Sequence, residues 1–134
     1  MPIKMQSLCP MIQVYDMPTS VRFYRELLGF EIISTSPPRS TDDFGWCLLR
    51  KSDAALMLNT RYEFDSRPPV PDRARFAAHD DTSFFIGCPD VDAAYNYLRG
   101  KGVDVKEPKV TPYGMRQLYL TDPDGFGICF QWTA

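Results

Sequence analysis

Apolar residues recur along the chain with two different periods, and the changes of period mark the elements. In residues 16–32, DMPTSVRFYRELLGFEI, Val21, Tyr24 and Leu28 fall at i, i+3 and i+7, with Phe23 and Leu27 widening the stripe. That spacing predicts an α-helix with one buried face. In residues 90–105, DVDAAYNYLRGKGVDV, Val91, Ala94, Tyr95 and Leu98 fall at i, i+3, i+4 and i+7. Both segments open on an aspartate suited to cap a first turn. Pro18 is compatible with that turn, which needs no N–H from it. Each stripe stops at a glycine, Gly29 or Gly102, and a short alternating stretch follows: Phe30 and Ile32, then Val103 and Val105. This is the pattern of a helix end followed by a strand.

Strand signals flank both helices. CPMIQVY (9–15) and TSFFIGC (82–88) precede them; WCLLRK (46–51), ALMLNT (55–60), MRQLYLT (115–121) and FGICFQW (126–132) follow. An offset of 74 superposes Asp16 on Asp90, Phe23 on Tyr97 and Arg25 on Arg99, and one deleted residue then aligns Gly29 with Gly102. Cap, apolar face, stop and following strand agree, so the chain reads as a duplication of a β-α-β-β-β unit. Residues 61–80, RYEFDSRPPVPDRARFAAHD, lack clear periodicity and are expected to be a polar, proline-rich linker, long enough to serve as a lid as well as a tether. Its Arg61, Arg67, Arg73 and Arg75 alternate with acids, which favours a solvated coil over an anion-catching surface, and HDD (79–81) reads as a solvated loop.

The stretch TDPDGF (121–126) sets Asp122 and Asp124 close together, as a cation loop would. Counted from Asp122, however, the twelfth position is Thr133, where an EF-hand needs an acid. Pro123 and Gly125 instead suit a tight turn between two strands.

Composition narrows the classes. The 134 residues are 44% hydrophobic and 24% charged, with a net charge of −2, and the basic residues are scattered. This argues against disorder, nucleic-acid binding and an anionic-membrane surface. No apolar run approaches a membrane span, and no signal-peptide pattern opens the chain, so a cytoplasmic location is expected. Cys9, Cys47, Cys88 and Cys129 are widely spaced without a CxxC pair and are expected to be reduced thiols.

The paired helical segments, together with YGMRQLYLTDPDGFGICFQ, make residues 8–132 resemble the vicinal oxygen chelate superfamily. That superfamily includes glyoxalase I, ring-cleaving dioxygenases and bleomycin-resistance proteins. The resemblance implies an α+β fold of two tandem βαβββ modules, about 8–60 and 82–132, whose curled sheets surround a cavity within one domain. Strand alternation then sends Cys9, Met11, Gln13, Met57, Asn59, Ser83, Phe85, Gln117, Tyr119, Cys129 and Gln131 toward the cavity, and Ile12, Val14, Leu56, Leu58, Ile128 and Phe130 toward the helices. Residues 46–51 do not settle their own parity; Trp46 is placed in the cavity without that support.

The resemblance also implies metal-ligand positions on the first and last strands of each module, here Cys9, Met57, Ser83 and Cys129. The superfamily's enzymes use His or carboxylates there, and the single histidine, His79, lies in the linker. No metal or other cofactor is therefore expected. The pattern is closest to the metal-free bleomycin-resistance branch, which implies a homodimer that holds a small, uncharged or weakly charged organic molecule. A lyase, isomerase or dioxygenase with a non-standard ligand set is the alternative.

Overall fold

Each expected helix begins where its aspartate caps it. In the computed structural model, which describes residues 2–134, Asp16 accepts from the Thr19 N–H at 3.1 Å and Asp90 from the Ala93 N–H at 2.9 Å. Such caps satisfy N–H groups that have no partner inside the helix. Two compact units result, one ending at Arg67 and one running from Pro68 to Ala134.

The first unit contains β1 (Met11–Val14), α1 (Met17–Val21) with a π-helical continuation (Arg22–Leu27), β2 (Glu31–Thr35), β3 (Trp46–Lys51) and β4 (Ala54–Thr60). Its sheet has the order β1-β4-β3-β2, with β1 parallel to β4 and the other pairs antiparallel. The second unit contains α2 (Arg73–Ala78), a 3₁₀ turn (His79–Asp81), β5 (Ser83–Gly87), α3 (Val91–Gly100), β6 (Lys109–Val110), β7 (Met115–Thr121) and β8 (Gly127–Thr133). Its sheet repeats the order as β5-β8-β7-β6, so both halves are β-α-β-β-β.

The core is the helix-facing half of each alternation. Ile12, Val14, Cys47, Leu49, Leu56 and Leu58 are buried with Met17, Val21 and Tyr24 in the first unit; Leu118, Leu120 and Ile128 are buried with Val91 and Leu98 in the second. Side chains of this size each contribute about 1.5–3 kcal/mol on burial.

The one-residue slip in the repeat has a structural cause. Through Arg22–Leu27 the helix widens, and the Leu28 N–H donates to the Phe23 carbonyl five residues back, at 3.2 Å. A π turn absorbs one extra residue. The two stops then coincide, with Gly29 and Gly102 both at φ +81°.

Three expectations are corrected. The first strand starts at Met11 rather than at residue 9. No strand forms at Val103–Val105; pairing with β7 begins only at Lys109. The Val103 N–H is committed to the Leu98 carbonyl at the helix end instead, at 3.0 Å. The 61–80 segment is also not irregular throughout, because Asp72 caps α2 and His79 is not solvated in the way HDD suggested. The His79 ring stacks on Phe126 with centroids 4.0 Å apart, and its Nδ1 donates to the Asp124 carbonyl at 2.6 Å. The acceptor is a carbonyl, so the proton sits on Nδ1.

The TDPDGF stretch is a turn. Asp122 is buried, and its Oδ1 accepts from the N–H groups of Asp124 and Phe126, both at 2.9 Å. Gly125 has φ +92°, and a Cβ there would lie 2.2 Å from the Phe76 carbonyl oxygen of α2. Gly125→Ala combines backbone strain with an overlap that backbone cannot relieve cheaply. It is expected to cost about 3 kcal/mol or more, measured by denaturant unfolding.

In the first unit, Asp42 holds φ +58° and receives a two-pronged hydrogen bond from Arg25, at 2.9 and 2.7 Å. The Arg25 guanidinium holds the Asp42 carboxyl below its ordinary value. A depressed carboxyl contributes stability that is complete above its unfolded value, about 3.9, and is lost as pH falls through the folded value. Asp42→Asn keeps the tolerance for positive φ but removes the charge. It should lose about 1 kcal/mol at pH 7, and the gap to the unsubstituted protein should close as pH drops below about 4. Unfolding curves across that range check both the size and the sign.

Candidate functional site

Since the helix takes one face of each sheet, the residues of interest are on the other. Cross-strand register groups them into rows. In the first sheet one row is Met11, Met57 and Leu48, and the next is Gln13, Asn59 and Trp46. The register thus assigns Trp46 to the same face as Asn59, which its own segment left unsettled. It also adds Leu48, which the sequence reading missed and which the alternation Trp46–Leu48 reveals once the parity is known.

In the second sheet Ser83, Gly127 and Thr121 form one row, Phe85, Cys129 and Tyr119 the next, and Gly87, Gln131, Gln117 and Lys109 the third. Phe85 and Tyr119 meet edge to face, with ring centroids 6.1 Å apart and planes at 86°. They are 52% and 50% exposed, so the face presents aromatic surface from two adjacent rings. Next to them the Gln117 Nε2 donates to the Gln131 Oε1 at 2.9 Å and to the Tyr113 hydroxyl at 3.3 Å. Gln117 is only 7% exposed, so this amide pair is a fixed part of the surface.

Within each sheet, the two positions that the resemblance pointed to as metal ligands do not share a cross-strand row. Cys9 precedes β1, while Met57 pairs with Met11 rather than with Cys9. Ser83 pairs with Gly127, and Cys129 pairs with Phe85. Cys129 is fully buried, and burial pushes its thiol up, against the opposing pull of the Tyr119 hydroxyl and the Leu118 backbone. Two thiols, a thioether and a hydroxyl do not suit the hard divalent ions that the superfamily's oxygen and imidazole sets hold. Among the described residues no three His, Cys, Asp or Glu side chains form a group able to hold a metal.

Nor does a reactive thiol emerge. Burial also raises Cys47, to about 11, and Cys88. No cation acts on these three thiols: Arg116 bonds Asp92 of α3 at 2.6 Å, and Arg67 pairs with Asp16 while lying over the Tyr15 ring at 5.1 Å. The raised values leave these thiols protonated near neutral pH, without the thiolate that nucleophilic attack requires. Burial and the Cys129 thiol together raise the Tyr119 hydroxyl, so that group is neutral as well.

Comparison with known proteins places this geometry. No curated protein sequence matches the chain. Among solved structures, TnmS3, an antibiotic binding protein from Streptomyces sp. CB03234, is 25% identical over 99% of this chain and 100% of its own, with a TM-score of 0.71. A bleomycin-binding protein complexed with bleomycin is 20% identical over 97% of this chain and 100% of its own, with a TM-score of 0.69. TioX from Micromonospora sp. ML1 is 15% identical over 96% and 99%, with a TM-score of 0.73, a likeness of fold. The family profile described as Glyoxalase/Bleomycin resistance protein/Dioxygenase superfamily matches residues 8–130. With the duplicated β-α-β-β-β architecture, that match makes the chain a member of the Glyoxalase/Bleomycin resistance protein/Dioxygenase superfamily.

Proposed function

We propose that the protein binds a small organic molecule, uncharged or weakly charged, on the open faces of its sheets and without a metal. The observation that carries this reading is the half-exposed Phe85–Tyr119 pair beside the fixed Gln117–Gln131 amide pair. Rings that meet edge to face offer a surface for a planar or aliphatic group, and amides supply neutral donors and acceptors that set its orientation. Trp46, Met11, Met57, Gln13 and Asn59 give the first module a surface of the same kind.

The likeness to an antibiotic binding protein and to a bleomycin-binding protein supports sequestration of a drug or metabolite as the role. No catalytic residue is assigned. The reading includes a homodimer acting in the cytoplasm, with no nucleic-acid or membrane partner. The net charge of −2 is in keeping with the former, and no helix among the described residues is long and apolar enough to cross a membrane.

The test is calorimetric titration with bleomycin and a panel of planar aromatic natural products, with hits drawn from a thermal-shift screen. Phe85→Ala and Tyr119→Ala should each weaken binding of a hit by about tenfold, equivalent to roughly 1.4 kcal/mol. Both side chains are half exposed, so the melting temperature should move by only a few degrees. Affinity that survives both substitutions would move the site away from this face. Treatment with a chelator should leave affinity unchanged; binding that disappears with the chelator and returns with one particular metal would overturn the metal-free reading.

A further inference from the structure

The duplication supplies its own control for one edge of the second sheet. In the first module β2 lies along β3 from Glu31 opposite Arg50 to Thr35 opposite Cys47. In the second module the corresponding edge pairs only at Lys109–Gln117 and Val110–Arg116. Residues 103–108 run beside the rest of β7 without strand structure, and among the described residues no backbone hydrogen bond joins 104–108 to it. A cavity of about 740 Å³ occupies the interval between this strap and Gln117–Thr121.

The direction of the unpaired groups follows from alternation. The Met115 N–H donates to the Thr111 hydroxyl at 3.0 Å, and its carbonyl accepts from the Thr111 N–H at 2.8 Å, so Met115 faces the β6 side. Gly114 and Asp122 face the other way, toward the end of β8 and the turn before it, through bonds to Ala134 at 2.9 Å and Phe126 at 2.8 Å. Backbone groups along an antiparallel strand alternate between its two neighbours. Those of Tyr119 and Thr121 therefore point into the cavity, where β2 would lie in the other module. Val103, Val105, Val110 and Leu120 provide apolar wall, and Lys106 and Glu107 provide opposite charges.

We propose that this slot is a second binding site, for a short, extended, peptide-like amide chain of about three residues that adds to the β7 edge as a strand. The class follows from what the same edge accepts in the other module, which is an extended backbone carrying a donor and an acceptor every second residue. The volume is within the usual range for a small-molecule site, roughly 300–1,000 Å³. The site does not rest on the reading of the Phe85–Tyr119 surface, since it uses the backbone of Tyr119 rather than its ring.

Acetyl-Thr-Val-Thr N-methylamide is the probe, and amide NMR of the whole protein is the readout. Without it, the Tyr119 and Thr121 amides should exchange with solvent much faster than those of Leu118 and Leu120, which bond toward β8. Saturating probe should shift both resonances and slow their exchange by about tenfold or more. The same peptide with every backbone amide N-methylated should do neither, and Val105→Trp, which fills the slot, should abolish the response while binding at the Phe85–Tyr119 surface persists. Slow exchange in the unliganded protein, equal shifts from both peptides, no shift at millimolar probe, or an undiminished response in folded Val105→Trp would each overturn the proposal. Should that variant not fold, the comparison of the two peptides decides.

Discussion

A four-stranded sheet has two faces, and each module of this protein has one long helix to cover them. Everything else depends on that inequality. The buried helix-facing residues must be apolar, and they are: Ile12, Val14, Leu56 and Leu58 in one sheet, Leu118, Leu120 and Ile128 in the other. The opposite faces are released from that demand. They carry methionine, amides and half-exposed rings, a mixture too polar for a core yet richer in aromatic surface than solvent contact alone favours. A one-residue change of register would exchange the two sets, so the period of two that builds the sheet also fixes which side chains are available for binding.

The two modules share this plan and differ where departures from it are tolerated. The first absorbs an additional residue in a π turn of its helix, and both halves still end at a glycine with the same φ. The first joins β3 to β4 through the tight turn at Ser52 (φ +51°), whereas the second uses TDPDGF, whose buried Asp122 organises the backbone around it. That larger turn lets α2 lie directly against Gly125 and His79 stack on Phe126, with no room for a side chain at position 125. The turn that resembled a cation loop is thus a support for packing; its carboxylate is consumed by main-chain N–H groups.

The architecture was legible in the sequence because strand and helix periods are properties of neighbouring residues. Caps, stops, strand faces and the duplication could all be read from spacing. What escaped depended on partners far along the chain. Trp46 lies in a run, WCLLRK, that is apolar on both faces, and only its register with Asn59 shows which way it points. His79 looked solvated because its neighbours are aspartates; the groups that hold it, Phe126 and the Asp124 carbonyl, are more than forty positions away. Val103 and Val105 alternate as a strand should, yet alternation alone does not pair an edge, and the Val103 N–H goes to the helix end instead. The set of open-face residues was mostly readable, while the depth of each was not: Cys129 and Gln117 are nearly or wholly covered where Phe85 and Tyr119 stand out.

Depth and charge together determine what such a face can bind. Cys129 is buried beneath the second module's face, and that burial keeps its thiol protonated. Partial desolvation and the Cys129 thiol beside it raise the Tyr119 hydroxyl, which is therefore neutral as well. The nearby cation on β7, Arg116, points to the helix side and is spent on Asp92. Around Phe85 and Tyr119 the strand face therefore offers hydrogen bonds and ring surface but no fixed charge, with Lys109 at its β6 edge. An anionic group laid on these rings has compensation only at Lys109, and a cationic one only from the ring faces. A neutral molecule loses little and gains the burial of two half-exposed rings. On the three strands that carry the rings and amides, the one charged side chain, Arg116, is thus directed to the other face.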